Sequence, residues 1–258
     1  MKVKGIIFDF GFTLFYFKDP SIERYFECFN KGLEKSISFL RGLKILKDDM
    51  VAKKFFKLFN RKRRGLYKEI IKTKCEVPST MIFKGILDLM VSEGIIDDFG
   101  TTTKEFYIEL ADRYHSVEAK IWHPFEKTRD TLEKLTKFED LKLAVLSNHP
   151  HHDCIVDILS HHDLSDFLDT IVTSAEFGKR KPHIDIFRHT IKKMGLGEVD
   201  IKDCIMCGDE YADIVGGHRA GMQTILFNRV YKFPFEKEIT VPDIIKINDI
   251  SEILGHIQ

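Results

Sequence analysis

Neither sign of charge dominates this chain. Its 40 Lys and Arg residues balance 40 Asp and Glu, so no net field draws it to nucleic acid or to a membrane surface. No apolar run approaches the ~20 residues that span a bilayer. Cysteine is scarce: Cys28, Cys75, Cys154, Cys204 and Cys207 are too few and too scattered for a disulfide framework. Cys204 and Cys207 invite a metal reading, but residues three apart on a strand point to opposite faces. They are read as reduced core thiols. Internal repeats and low-complexity segments are missing as well. Met1-Lys2-Val3-Lys4 leads at once into an apolar segment, so a cleavable leader is not expected. Together these absences exclude a membrane span and a disulfide scaffold, disfavour nucleic acid as a partner, and make the cytoplasm the expected location.

What is present is an alternation of short apolar runs with amphipathic stretches. Strand-like runs occur at Val3–Phe8, Leu141–Leu146, Thr170–Thr173, Cys204–Cys207 and Thr224–Phe227, with a further edge strand expected at Asp243–Ile247. The pattern predicts an α/β fold, a mostly parallel sheet covered by helices. Residues 18–119 interrupt it with helical periodicity. Phe26, Phe29, Leu33, Ile37 and Leu40 fall three and four apart, as one helix face requires. Phe55, Phe56, Leu58 and Phe59 suggest a second helix, and Met81 to Met90 a third. Within 53–74 lie ten basic residues, with Glu69 the only acid. The plainer reading is a solvated helix face; the sharper one is a surface for an anionic ligand, with Arg63 and Arg64 as the test positions.

Four segments carry chemistry. Asp9 closes the run Ile6-Ile7-Phe8 and precedes Phe10-Gly11-Phe12-Thr13-Leu14, placing a carboxylate at the mouth of a buried strand, where it can act as a nucleophile. Ser147-Asn148 ends the second strand with a hydroxyl and an amide able to bind phosphate oxygens. Gly178-Lys179-Arg180-Lys181-Pro182 is a basic loop before a helix. Gly208-Asp209-Glu210-Tyr211-Ala212-Asp213 follows another apolar strand. In this order, each near the carboxyl end of a strand, they sit where open α/β sheets bind ligands.

These segments resemble the motifs of the haloacid dehalogenase-like superfamily, in detail over residues 1–15 and roughly 121–230. The resemblance implies a Rossmann-like core, 1–17 and 120–258, with an all-helical cap inserted at 18–119. It also implies hydrolysis of a small phosphorylated metabolite through an aspartyl-phosphate on Asp9. Lys181 and Ser147 would hold the transferring oxygens, helped by Asn148, Thr13 and the backbone near Phe10. Mg2+ would be bound by Asp9, the carbonyl of Gly11 and Asp209, with Asp213 completing the set. An apolar cap face is the surface a homodimer would use.

Gly11 stands where the superfamily's first motif has a second Asp. That residue normally protonates the leaving group, help worth ~10²–10⁴ in rate. Its metal contact is made by the backbone, which glycine keeps. Alkyl phosphates should therefore suffer most, and acyl and aryl phosphates least. His149 is a candidate replacement acid–base group, against the plainer reading of a loop histidine. Two alternatives follow from Gly11: a 2-haloacid dehalogenase using Asp9 as nucleophile, or a catalytically weakened phosphate-binding protein. A zinc site at His-His-Asp 151–153 or 161–163 is a minor reading, since adjacent histidines rarely share one ion.

Overall fold

The computed structural model describes residues 2–100, 102–229, 231 and 237–257. In chain order the elements are β1 (Gly5–Phe8), β2 (Phe15–Tyr16), α1 (Ile22–Gly42), α2 (Asp49–Thr73), α3 (Ser79–Ser92), α4 (Lys104–His115), β3 (His123–Pro124) and α5 (Thr128–Leu135). There follow β4 (Lys142–Ser147), α6 (His152–His161), β5 (Thr170–Thr173), α7 (Ser174–Phe177), α8 (Ile184–Lys193), β6 (Cys204–Gly208), α9 (Tyr211–Ala220), β7 (Gln223–Phe227) and β8 (Ile245–Ile247). The chain divides into two compact units, Met1–Asp19 with Trp122–Gln258, and Pro20–Ile121. No helix among the described residues is long and apolar enough to cross a membrane.

The first unit is a six-stranded sheet in the order β5-β4-β1-β6-β7-β8, every pair parallel. Strands covered on both faces need apolar side chains on both, which is why β1, β4 and β6 read as continuous apolar runs. One face is filled by Ile7, Ala144, Leu146, Val172, Phe187 and Met206. Cys204 and Cys207 are free and buried, and burial pushes the Cys204 thiol up to about 12, as expected for an inert core group.

Two strands differ from the sequence expectation. β1 begins at Gly5, although Lys4 already bonds Asp203 and Lys142 through its backbone. The edge strand β8 starts at Ile245, because Asp243 takes a left-handed φ of 50° and ends a turn there. A two-stranded antiparallel ribbon, β2 with β3, was not anticipated; two residues are too few to leave a period-two signature.

Among the described residues the second unit is built from α1, α2, α3 and α4, with a short 3-10 turn at Glu118–Lys120. Ser21 caps α1 by accepting from the Arg24 N–H, and Asp48 caps α2 by accepting from Val51. Phe29, Leu33, Leu40, Phe55, Phe59, Phe83, Leu87 and Tyr114 form its core. Phe26, expected on the apolar face, is instead exposed and lies against the Arg63 guanidinium. Arg63 also covers Phe29 and donates to Tyr114 Oη and Asn60 Oδ1, both at 3.1 Å. It is a packing residue, unlike its exposed neighbours Arg61, Lys62 and Arg64.

Candidate active site

β1 lies at the centre of the sheet with β4 on one side and β6 on the other. Consecutive connections leave it in opposite directions, so a crevice opens at the carboxyl ends of these three strands. Asp9 extends β1 by one residue, its N–H donating to the Cys207 carbonyl at 2.9 Å. The chain then turns sharply. Leu14 and Phe15 both donate to the Phe10 carbonyl, and Phe12 takes a left-handed φ of 61°, a conformation that costs roughly 1–2 kcal/mol outside glycine. The turn returns Thr13 to the crevice, where its Oγ1 donates to Asp209 Oδ1 at 3.1 Å.

Lys181 reaches the same point from the loop before α8. Its buried ammonium meets three acceptors: Asp9 Oδ1 at 2.5 Å, Asp213 Oδ1 at 2.6 Å and the Leu146 carbonyl at 2.7 Å. Burial works against its charge, yet the attraction of Asp213 and Asp9 outweighs burial and holds its pKa above the ordinary lysine value. Asn148 does not face a ligand with its side chain. Its Oδ1 accepts from the Lys181 N–H at 2.8 Å and its Nδ2 donates to the Lys181 carbonyl at 3.1 Å. The amide clamps the lysine loop to the end of β4. Ser147, the last residue of β4, is buried beside it.

β6 delivers Asp209, and the first turn of α9 delivers Asp213, whose Oδ2 accepts from the Glu210 N–H at 3.2 Å. Gly208 permits this approach: a Cβ there would meet Asp213 at 2.4 Å. Asp9, Asp209 and Asp213 each place a carboxylate oxygen within 4.8 Å of the others, and all three are buried. Burial first, and repulsion from Asp9 next, push Asp209 well above the usual carboxylate range, against the pull of Arg229. Asp213 is pushed up to about 7 by burial, despite Lys181, with Asp9 and Glu210 adding to the rise. Three buried carboxylates thus share two paired cations, Lys181 and Arg229, among the described residues. A hard, all-oxygen donor set short of positive charge fits a small divalent cation.

Arg229 was not anticipated. It lies two residues past β7, pairs its Nη1 with Asp209 Oδ2 and covers the Phe12 ring. A basic residue just beyond a strand end was the available signal, but no motif claimed it. His149 is buried, and its ring Nδ1 bonds the His151 carbonyl at 2.7 Å, within its own loop.

The sequence matches the family model for haloacid dehalogenase-like hydrolases across residues 6–227. The chain belongs to that family. It has the Rossmann-like sheet of that family, and it is similar to named phosphatases. It is 34% identical over 119 residues to a glyceraldehyde 3-phosphate phosphatase of Methanothermobacter thermautotrophicus, covering 45% of this hydrolase and 49% of that protein. It is 35% identical over 127 residues to a phosphoglycolate phosphatase of Aquifex aeolicus, covering 48% and 56%. The chain thus spans about half the length of these relatives. A 2-haloacid dehalogenase structure from Pseudomonas syringae superposes with a TM-score of 0.61 at 19% identity, covering 99% of this chain and 97% of that one. At that identity the likeness concerns the fold.

Proposed function

We propose that this hydrolase is a Mg2+-dependent phosphatase that works through an aspartyl-phosphate on Asp9, with a small phosphorylated metabolite as substrate. The observation carrying this reading is the buried trio Asp9, Asp209 and Asp213, three clustered carboxylates paired with two cations, Lys181 and Arg229. The phosphatase names of its relatives support it.

Asp9 attacks phosphorus: a bond forms from its carboxylate oxygen, and the bond to the leaving oxygen breaks with its electron pair. Lys181 holds Asp9 in place and balances charge on the transferring group. Ser147 offers its hydroxyl to the same oxygens. Water then attacks phosphorus, releasing phosphate and restoring the Asp9 carboxylate. Thr13 orients Asp209, and Asn148 fixes the Lys181 backbone. Mg2+, when bound by Asp9, Asp209 and the Gly11 carbonyl with Asp213 behind them, would offset repulsion between carboxylate and phosphate. In this reading 1–17 and 120–258 are the catalytic core, and 18–119 the helical cap that selects substrate.

Gly11 favours a second reading, the dehalogenase, which needs no metal. Hydrolysis of acetyl phosphate and p-nitrophenyl phosphate, with Mg2+ or chelator, separates the two in wild type and Asp9→Asn. Metal-dependent turnover lost in the variant is the expected result. Turnover of a 2-haloacid that survives chelator would replace the phosphatase reading.

A further inference from the structure

The space beside Gly11 is tight. A Cβ built there would lie 3.1 Å from Trp122 Cη2, 3.6 Å from Cζ3 and 3.8 Å from Cζ2. The Gly11 backbone is not left-handed, so any side chain would be limited by the ring and not by strain. The indole is well fixed. It meets Phe10, Phe12 and Phe17 edge-on, with ring centroids 5.4, 5.5 and 5.1 Å away, geometry that aromatic quadrupoles favour. His162 Nε2 bonds the Trp122 carbonyl at 3.3 Å while its ring packs on Phe15. Trp122 is 7% exposed.

We propose that Trp122 determines specificity on the leaving-group side of Asp9, restricting turnover to phosphates whose leaving group departs as a stabilised anion, the acyl and aryl phosphates. This rests on the aspartyl-phosphate reading above. Phe10, Gly11 and Phe12 carry no dissociable proton, and an indole N–H donates a hydrogen bond without giving up its proton. Thr13 is committed to Asp209, and Lys181 to three acceptors. None of these groups hands a proton to a departing alkoxide, and Asp209 and Asp213, as Mg2+ ligands in that reading, hold no proton to give. A carboxylate, with a conjugate acid of pKa about 4, or a phenolate, about 10, leaves with its electron pair unaided. Water later takes the phosphoryl group from Asp9, and the proton released goes to solvent. In this proposal the acyl or aryl group packs against the wall that Trp122 forms with Phe10 and Phe12.

Two readouts test this. Single-turnover rates with Mg2+ would be measured for acetyl phosphate, a series of aryl phosphates and ethyl phosphate. Wild type should favour p-nitrophenyl over ethyl phosphate by at least about 10³, the upper part of what general acid help supplies. Gly11→Asp alone should leave that ratio within about threefold, because the ring crowds a side chain at 11. Gly11→Asp with Trp122→Ala should narrow it tenfold or more. Ethyl phosphate turnover within tenfold of p-nitrophenyl phosphate in wild type, or a ratio restored by Gly11→Asp alone, would overturn the proposal.

Trp122 is the chain's one tryptophan, so fluorescence supplies the second readout without requiring turnover or a Trp122 variant. In Asp9→Asn with Mg2+, p-nitrophenyl phosphate should quench it saturably and inorganic phosphate should not. Saturable quenching with no turnover in wild type would sink the phosphatase reading and leave the aromatic wall standing. Turnover without quenching would do the reverse.

Discussion

Each unit buries a polar cluster, and the two are built to opposite ends. In the helical unit Ser79 Oγ lies 2.8 Å from His115 Nε2, and His115 Nδ1 lies 2.9 Å from Glu118 Oε2. The order Ser–His–Glu is that of a hydrolytic triad, but Ser79 and His115 are each 1% exposed, which bars substrate from the hydroxyl. Hydrogen bonds run from group to group, as a structural network demands. In the sheet unit three carboxylates crowd around Lys181 and Arg229, and two of them are driven to bind protons more tightly. The first cluster is matched by protein partners. The second sets three carboxylates against two cations, and imbalance of that kind makes it the candidate ligand site.

The largest expected effect breaks the second cluster. Asp9→Asn should lower metal-dependent turnover of acetyl phosphate on the order of 10³-fold or more, yet leave the fold as stable or more so in chelator, because it removes one crowded charge. A thermal melt beside the rate assay checks both. A large drop in melting temperature would mean that Asp9 is held for stability. Next comes Lys181→Met, which strands Asp9 and Asp213 without their shared cation. Breaking a buried pair on one side costs about 3–5 kcal/mol, so denaturant unfolding at neutral pH should show a loss of that order.

How much of this was legible depends on where each residue's partner lies in the chain. The places of Asp9 and Asp209 were readable because an apolar run ending in a carboxylate states its own geometry: a buried strand with the carboxylate at its tip. The sheet followed for the same reason, since β1, β4 and β6 are apolar on both faces. Asn148 was placed correctly at a strand end, but its role was hidden, because its partner is the backbone of a residue 33 positions away. Arg229 and Trp122 are known only by what they approach, Asp209 and Gly11 respectively. In the helical unit the apolar faces showed in the 3.6 period, whereas Ser79, His115 and Glu118 belong to no motif and meet only through packing. Arg63 looked like one basic residue among ten, and its distinction is that it covers two rings.

The matched cluster offers the next test. Ser79→Ala removes one hydrogen bond and leaves the His115 Nε2 side unpartnered by that hydroxyl. The expected cost is about 1–3 kcal/mol, insensitive to Mg2+. If Mg2+ altered that cost, the helical network would be tied to the metal site, and the contrast between the clusters would fail.

A smaller effect concerns pH. Asp213, near 3.8 when unfolded and about 7 when folded, binds its proton more tightly in the folded state. Its contribution to stability is therefore present at low pH and lost as pH rises from about 4 through 7. Asp209 shifts in the same direction. In the proposed reading protons compete with Mg2+ for these oxygens, so metal binding should strengthen up to about tenfold per pH unit below 7. Other carboxylates, such as Asp185 and Asp249, are shifted downward by their partners, and they contribute equally with and without metal. The quantity to follow is the rise in melting temperature caused by Mg2+, which should be a few degrees larger at pH 7.5 than at pH 5. A rise independent of pH would show that the crowded carboxylates are not where the metal binds.

The smallest effect separates charge from packing within α2. Arg61, Lys62 and Arg64 are exposed, and exposed charges away from special features shift stability by no more than about 0.5 kcal/mol each. Changing each singly to Gln should leave the melting temperature nearly unmoved. Arg63→Gln should lower it, by about 1–2 kcal/mol in stability, because the guanidinium covers Phe26 and Phe29 and donates to Tyr114 and Asn60. Reversing Arg63 together with Arg64 would confound a ligand test with lost packing, so affinity for an anionic substrate should be measured on the Arg61, Lys62 and Arg64 variants alone. An unchanged KM there, at low ionic strength, would assign the basic stretch to solvation of the helix. A KM that rises with each lost charge and converges with wild type in high salt would assign it to drawing in the substrate.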